Sequence, residues 1–197
     1  MVAGVSGNRL DRKDWVAAAS DMLAERDIDA VRVERLAKRL GVTKGSFYWH
    51  FKDRAALHGA ILENWRDRAT AFVIARLDRD LDDPRERLAS LLALSAHERA
   101  DTPRRNRGAR LELAIRQWAR WDDMAADVVA KVDMVRQDYI HALIMALGLG
   151  DEAARQRAVI IQAYLLGETL LSEPTRRADV QSVIAALLPE SGLPDPG

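Results

Sequence analysis

A glycine at position 41 separates two short amphipathic stretches, and that arrangement limits the fold more than any other feature of the sequence. Before it, Val33, Leu36, Ala37 and Leu40 recur at helical spacing. Gly41 is the residue best suited to the left-handed C-terminal cap that stops such a helix. After it, Thr43 stands at an N-cap position, with Val42 and Phe47 placed as a hydrophobic staple around it, and a short helix runs to about His50. Two helices joined by so tight a turn read as a helix-turn-helix. Ala37 lies where the helices approach closely, and Val42, Phe47 and Phe51 are expected to point inward onto Leu36 and Leu40.

The remaining periodicity is also helical, with no alternating run and no hairpin dipeptide, so the expected class is all-α with about nine helices. Asp11 and Asp14, with Leu10 and Trp15 around them, mark the start of a first helix that ends near Arg26 and buries Trp15, Ala19, Met22 and Leu23. Asp53 caps a fourth helix expected to continue to about Asp80 through Leu57, Ile61, Trp65, Ala69 and Phe72, long enough to connect two parts of a molecule. Asp83-Pro84-Arg85-Glu86 and Thr102-Pro103 open the next two helices. Longer helices are expected over about 123–147 and 151–171, then a last one over 176–188 and a frayed tail over 189–197.

Composition excludes several functions. The 197 residues carry 48% hydrophobic and 30% charged side chains, as a globular chain does. The absence of cysteine removes disulfides, thiolate catalysis and Cys-ligated zinc. No apolar run is long enough for a membrane span and no signal-peptide core is apparent, so the expected location is the cytoplasm, with no membrane partner. Thirty Lys+Arg balance thirty Asp+Glu, yet residues 1–54 hold 11 against 8, and three of the five lysines (Lys38, Lys44, Lys52) fall within fifteen residues. Such a local excess attracts phosphate.

The outer face of the second helix of the motif is Lys44, Gly45, Ser46, Tyr48, Trp49 and His50. Gly45 and Ser46 are small enough to let the backbone close on a groove floor, and Lys44 can reach a base edge or a phosphate. Phe47, Tyr48, Trp49 and Phe51 are nearly consecutive, and one helical face cannot bury them all. Tyr48 is expected to offer its hydroxyl to phosphate. Trp49 either packs against the first and fourth helices or faces outward.

The run Gly-Val-Thr-Lys-Gly-Ser-Phe-Tyr-Trp-His-Phe, followed by Lys-Asp-Arg-Ala-Ala-Leu, resembles the DNA-binding signature of the TetR family of bacterial transcriptional regulators, over about residues 10–62. The resemblance implies base and phosphate contacts from Thr43, Lys44, Gly45 and Ser46, and phosphate contacts from Tyr48, His50 and Arg54. Lys52, Trp49 and Arg9 of the N-terminal arm are further candidates. Two positions depart from the family's pattern: Arg32 stands where Thr or Ser commonly caps the second helix, and Glu34 lies near where some relatives place a DNA-contacting basic residue.

The same resemblance implies a helix-turn-helix DNA-binding domain over residues 1–52 and an effector-binding and dimerisation domain over 53–197. It implies a homodimer formed through the last two helices, a palindromic double-stranded operator, release by a small-molecule effector, and repression as the default outcome. Ala154, Ala158, Ile161, Tyr164, Leu165 and Gly167, with Val180, Val183, Ile184 and Leu187, supply apolar surface for the dimer contact. Trp65, Phe72, Trp118, Trp121 and Tyr139 are candidate walls of an effector pocket, with Arg110, Arg116, His97 and His141 as polar groups. No cofactor or metal is implied, and no enzymatic activity. The alternative is an all-helical metal-dependent enzyme. Asp82-Asp83 and Asp122-Asp123 superficially resemble magnesium motifs, but both pairs sit at helix starts, where Asp is a cap. His58, His97 and His141 lack metal-ligand spacing.

Overall fold

The computed structural model describes residues 10–97, 107–170 and 180–187, without the side chains at 94–97, 180, 181 and 187. Arg9, the Thr102-Pro103 cap, the start of the last helix, the tail, and the side chains of His97, Val180 and Leu187 lie outside the described residues. All regular structure among the described residues is helical: α1 (Arg12–Glu25), a 3₁₀ turn (Ile28–Ala30), α2 (Val33–Leu40), α3 (Lys44–Tyr48), α4 (Arg54–Ala69), α5 (Ala71–Asp80), α6 (Pro84–His97), α7 (Arg107–Trp118), α8 (Asp123–Ala146), α9 (Asp151–Leu170) and α10 (Val180–Leu187). None of the described helices is long and apolar enough to cross a membrane.

The expected fourth helix is divided in two. At Thr70 the backbone leaves helical space (φ −131°, ψ −83°), so α4 ends at Ala69 and α5 begins at Ala71. Apolar spacing continues through the break, and it carries no signal of it. The Ala69 carbonyl accepts a hydrogen bond from Arg136 Nε at 3.2 Å, a partner 67 residues away.

Compactness divides the chain into two units: residues 1–66 with 110–128, and 67–109 with 129–197. These limits differ from a division at 52/53, because most of α4 is grouped with the helix-turn-helix.

In the first unit the caps at Asp11 and Gly41 form as the sequence suggests. Asp11 Oδ1 accepts from the Lys13 and Asp14 amides at 2.7 and 3.0 Å, and Asp14 accepts from the Asp11 amide at 2.7 Å, a reciprocal capping box. Gly41 ends α2 in the left-handed region (φ 69°), with the Val42 amide returning to the Ala37 carbonyl at 3.0 Å. Trp15, Ala19, Leu23, Leu36, Phe47, Leu57 and Ile61 are fully buried. Phe47 is wedged between Trp15, edge-on at 5.4 Å, and Phe51, stacked at 5.4 Å. Arg39 adds a bidentate ion pair to Glu25, both bonds 2.6 Å, tying α2 to α1.

In the second unit Leu88, Leu92, Ile140, Leu143, Ile144, Ala154, Ala158, Ile161 and Ile184 form one core. Asp83 caps α6 through the Arg85 amide (2.9 Å), and Gly148 (φ 90°) follows the end of α8. This core corrects part of the expected dimer surface. Ala154, Ala158, Ile161 and Ile184 are consumed within the chain, because the face of α9 that packs on α6, α8 and α10 takes them first. The large apolar residues α9 leaves exposed are Val159, Ile160 and Leu170.

Candidate nucleic-acid interface

Phe47 decides which way α3 faces. With that ring buried against Trp15 and Phe51, the next two residues turn outward: Tyr48 is 56% exposed and Trp49 86%. Of the two orientations open to Trp49, the outward one is found. Thr43, Lys44, Gly45 and Lys52 are exposed, and Ser46 and His50 are half-buried. A Cβ built on Gly45 would meet nothing nearer than Thr43 Oγ1 at 3.8 Å, so glycine leaves an open notch on this surface.

Two local details differ from expectation. Thr43 occupies the N-cap position with extended backbone, but its side chain makes no capping hydrogen bond. Its carbonyl accepts from the Ser46 amide at 3.0 Å, as suits a helix only five residues long. Arg54, expected to face phosphate, sends its guanidinium inward. Nη2 donates to the Ile28 carbonyl at 2.7 Å and Nε donates to His58 Nε2 at 3.1 Å. These two bonds tie the start of α4 to the turn before α2.

His58 accepts at Nε2, so its ring is neutral, with the proton on Nδ1. Burial, then the neighbouring Arg54 charge, push its pKa down to about 4 against a weaker opposing pull from Asp122. The ring meets Trp118 edge-on at 5.2 Å. Ile28, Arg54, His58 and Trp118 thus form a contact chain from the helix-turn-helix to α7. His58 was legible in the sequence only as a possible ligand. Its neutral, accepting role depends on Arg54 one turn earlier and on a tryptophan 60 residues away.

The candidate effector residues fall into two groups. In the first unit, Trp65 is buried and its Nε1 donates to Glu112 Oε2 at 3.2 Å, while Arg116 Nε donates to Glu112 Oε1 at 2.8 Å. Trp118 is buried, Arg110 is exposed, and Trp121 is 81% exposed. In the second unit, Phe72 is exposed and Tyr139 half-buried, its hydroxyl donating to Asp78 Oδ1 at 2.9 Å. Burial and that bond push the Tyr139 pKa up to about 12. His141 pairs with Asp151 at 3.0 Å. Glu112 escaped sequence reasoning. Its only sequence signal is Arg116 four residues on, the spacing of a surface ion pair, yet the carboxylate is buried. Of the acidic pairs that resembled metal motifs, Asp122 accepts from the Ala125 amide at 2.9 Å and Asp83 caps α6, which is cap chemistry in both cases.

A helix anchored from behind by a buried phenylalanine, led in by a left-handed glycine and presenting its polar and aromatic residues to solvent, defines the helix-turn-helix class. Residues 16–61 match the family described as bacterial regulatory proteins, tetR family. Over 72 residues the chain is 33% identical to the class A tetracycline repressor from transposon 1721 of Escherichia coli, a match covering 36% of this chain and 33% of that repressor. The chain therefore matches only about a third of the length of that relative. A longer match, 23% identical over 164 residues, covers 79% of the chain and 75% of the transcriptional regulator AcrR of Shigella flexneri. Among solved structures, a transcriptional regulator from Rhodococcus sp. Rha1 superimposes with a TM-score of 0.65 at 26% identity, over 82% of both chains. A TetR-family regulator from Agrobacterium tumefaciens shares the fold, with a TM-score of 0.68 at 19% identity over 90% of this chain and 94% of its own. Residues 16–61 thus match the TetR family of bacterial regulatory proteins, and the likeness to solved regulators extends over most of the fold.

Proposed function

We propose that the protein is a ligand-responsive transcriptional repressor that binds a palindromic operator as a homodimer, each protomer laying α3 in the major groove. The observation that carries this reading is the outward presentation of Tyr48 and Trp49 beside Lys44 and the open notch at Gly45. Thr43, Lys44, Gly45 and Ser46 meet base edges and nearby phosphates. Tyr48, Trp49, His50 and Lys52 line the backbone, and Arg9 reaches it from the N-terminal arm. Arg54 acts mainly by holding α4 in place.

The dimer forms through the last two helices. On α9, Ile160, Ala163, Gly167 and Leu170 follow one another at intervals of three, four and three, a single stripe on one side of a helix. Ile160 and Leu170 on that stripe are 51% and 66% exposed. No Cβ contact opposes a side chain at Gly167, so the stripe is open there to a close approach by another helix.

The effector's candidate contacts are Trp65, Trp118, Trp121 and Arg110 in the first unit and, as a separate group, Phe72 and Tyr139 in the second. Its binding is felt by the helix-turn-helix through the contact chain from Trp118 to Arg54. A hundredfold loss of DNA affinity requires about 2.7 kcal/mol of differential effector binding between the two states.

Fluorescence anisotropy on a duplex from upstream of the gene, at several salt concentrations, tests the reading. The expected result is nanomolar binding that weakens steeply with salt and disappears in Lys44→Ala/Tyr48→Phe, with light scattering reporting a dimer. Binding indifferent to salt, or a monomer at micromolar concentration, would refute it.

A further inference from the structure

We propose that Glu34 is a specificity-determining residue of this interface: its carboxylate holds the Lys44 ammonium across the turn between α2 and α3, so that the two side chains address one base-pair edge as a unit. The inference rests on the reading of α3 as a DNA-binding helix. Glu34 lies in the first turn of α2 and Lys44 opens α3, and the carboxylate Oε1 accepts from Lys44 Nζ. Glu34 is the one carboxylate between residues 30 and 52, among six basic residues: Arg32, Arg35, Lys38, Arg39, Lys44 and Lys52.

Stability does not account for that placement. Both side chains remain more than half exposed, and an ion pair so well solvated contributes little to folding. For phosphate binding the pair is a loss, because the carboxylate neutralises a lysine on the surface that would meet DNA and repels the backbone itself. Base recognition is where it has a use. A carboxylate accepts from the N4 amine of cytosine, and a lysine donates to the N7 and O6 of guanine. A G·C pair presents that donor and those acceptors side by side in the major groove, and an ion pair fixed between α2 and α3 offers the complementary set. The charges support each other: the bond from Lys44 keeps the Glu34 carboxyl below the usual carboxylate range, and Glu34 raises the lysine.

The test is selection from a pool of randomised duplexes by the full-length wild-type protein, Glu34→Gln, Lys44→Ala and the double variant, followed by salt titrations on a mixed-sequence duplex. Equal melting temperatures establish that the variants are folded. Wild-type selection is expected to enrich a G·C pair at one symmetric position of each half-site. Glu34→Gln is expected to lose that preference, shifting toward A·T, as an amide reads adenine. It should also bind mixed-sequence duplex about three- to tenfold more tightly, with the log–log salt slope steeper by about one per bound protomer. In the Lys44→Ala background the same substitution should change the slope by less than half as much. Unaltered base preference and unaltered non-specific affinity in Glu34→Gln would overturn the proposal, as would an equal effect with and without Lys44. Retention of no duplex by the wild type would instead overturn the parent reading, and this one with it.

Discussion

Replacing Gly45 by alanine separates the stability of α3 from its contact with DNA. Gly45 lies in the first turn of α3, is exposed, and has ordinary negative-φ backbone, so a side chain there meets no conformational strain. The built Cβ is 3.8 Å from Thr43 Oγ1, an ordinary van der Waals contact. Glycine-to-alanine exchange in a helix interior stabilises by roughly 0.8–1 kcal/mol, and near the end of a five-residue helix about half of that is expected. For a chain of this length the gain corresponds to a rise in Tm of about 1–2 °C. If α3 packs its backbone on a groove floor, the same methyl group occupies the notch through which it approaches. The loss expected is about tenfold in operator affinity, equivalent to about 1.4 kcal/mol. Thermal melting and anisotropy on the same preparation read both quantities. A variant that melts higher and binds more weakly supports the argument. One that melts higher and binds as the wild type does places Gly45 away from DNA and refutes it. Gly41→Ala is the contrast: nothing crowds the added Cβ, but φ is 69°, so a loss of about 1 kcal/mol in stability is expected from the left-handed backbone alone.

Three further outcomes can be measured. Phe47→Ala empties the centre of the first unit and should cost about 3–5 kcal/mol in urea denaturation, whereas Trp49→Ala, on the exposed side, should leave stability within about 0.5 kcal/mol and weaken DNA binding. Glu112→Ala leaves the buried Trp65 indole and the Arg116 guanidinium without this carboxylate and should cost about 3 kcal/mol, while Glu112→Gln should recover part of the loss; equal losses would show that the charge rather than the hydrogen bonds matters. His58 is neutral in the folded protein down to a pKa of about 4, so the unfolded chain binds the extra proton first and stability falls as pH drops from 7 toward 4. Allowing for the part of the ring still in water, the loss between pH 7 and pH 5 attributable to His58 is about 1 kcal/mol, and His58→Gln should remove it from the pH profile; an identical profile in the variant would show that His58 does not set this slope.

Local rules account for much of this chain's structure, and they fail where partners are distant. The capping box of Asp11 and Asp14, the left-handed stop at Gly41 and the helix starts at Asp83 and Asp122 involve groups two to five residues apart, within reach of sequence pattern. Thr43 shows the limit even there. Its position at the cap was legible, but not the fact that its side chain makes no bond to the short helix it precedes.

The sequence by itself determined the all-helical class, the helix-turn-helix and the list of side chains on α3, because backbone caps and 3.6-residue periodicity are properties of neighbouring residues. Tertiary structure decided which of four crowded aromatics faces solvent, since that depends on Trp15 and Phe51 closing over Phe47. It also turned Arg54 onto a carbonyl 26 residues away, broke the long helix at Thr70 and buried Glu112 beneath Trp65. Each of these outcomes turns on a partner brought near only when the chain folds back on itself, and such a partner leaves no trace in the spacing of the residues around it.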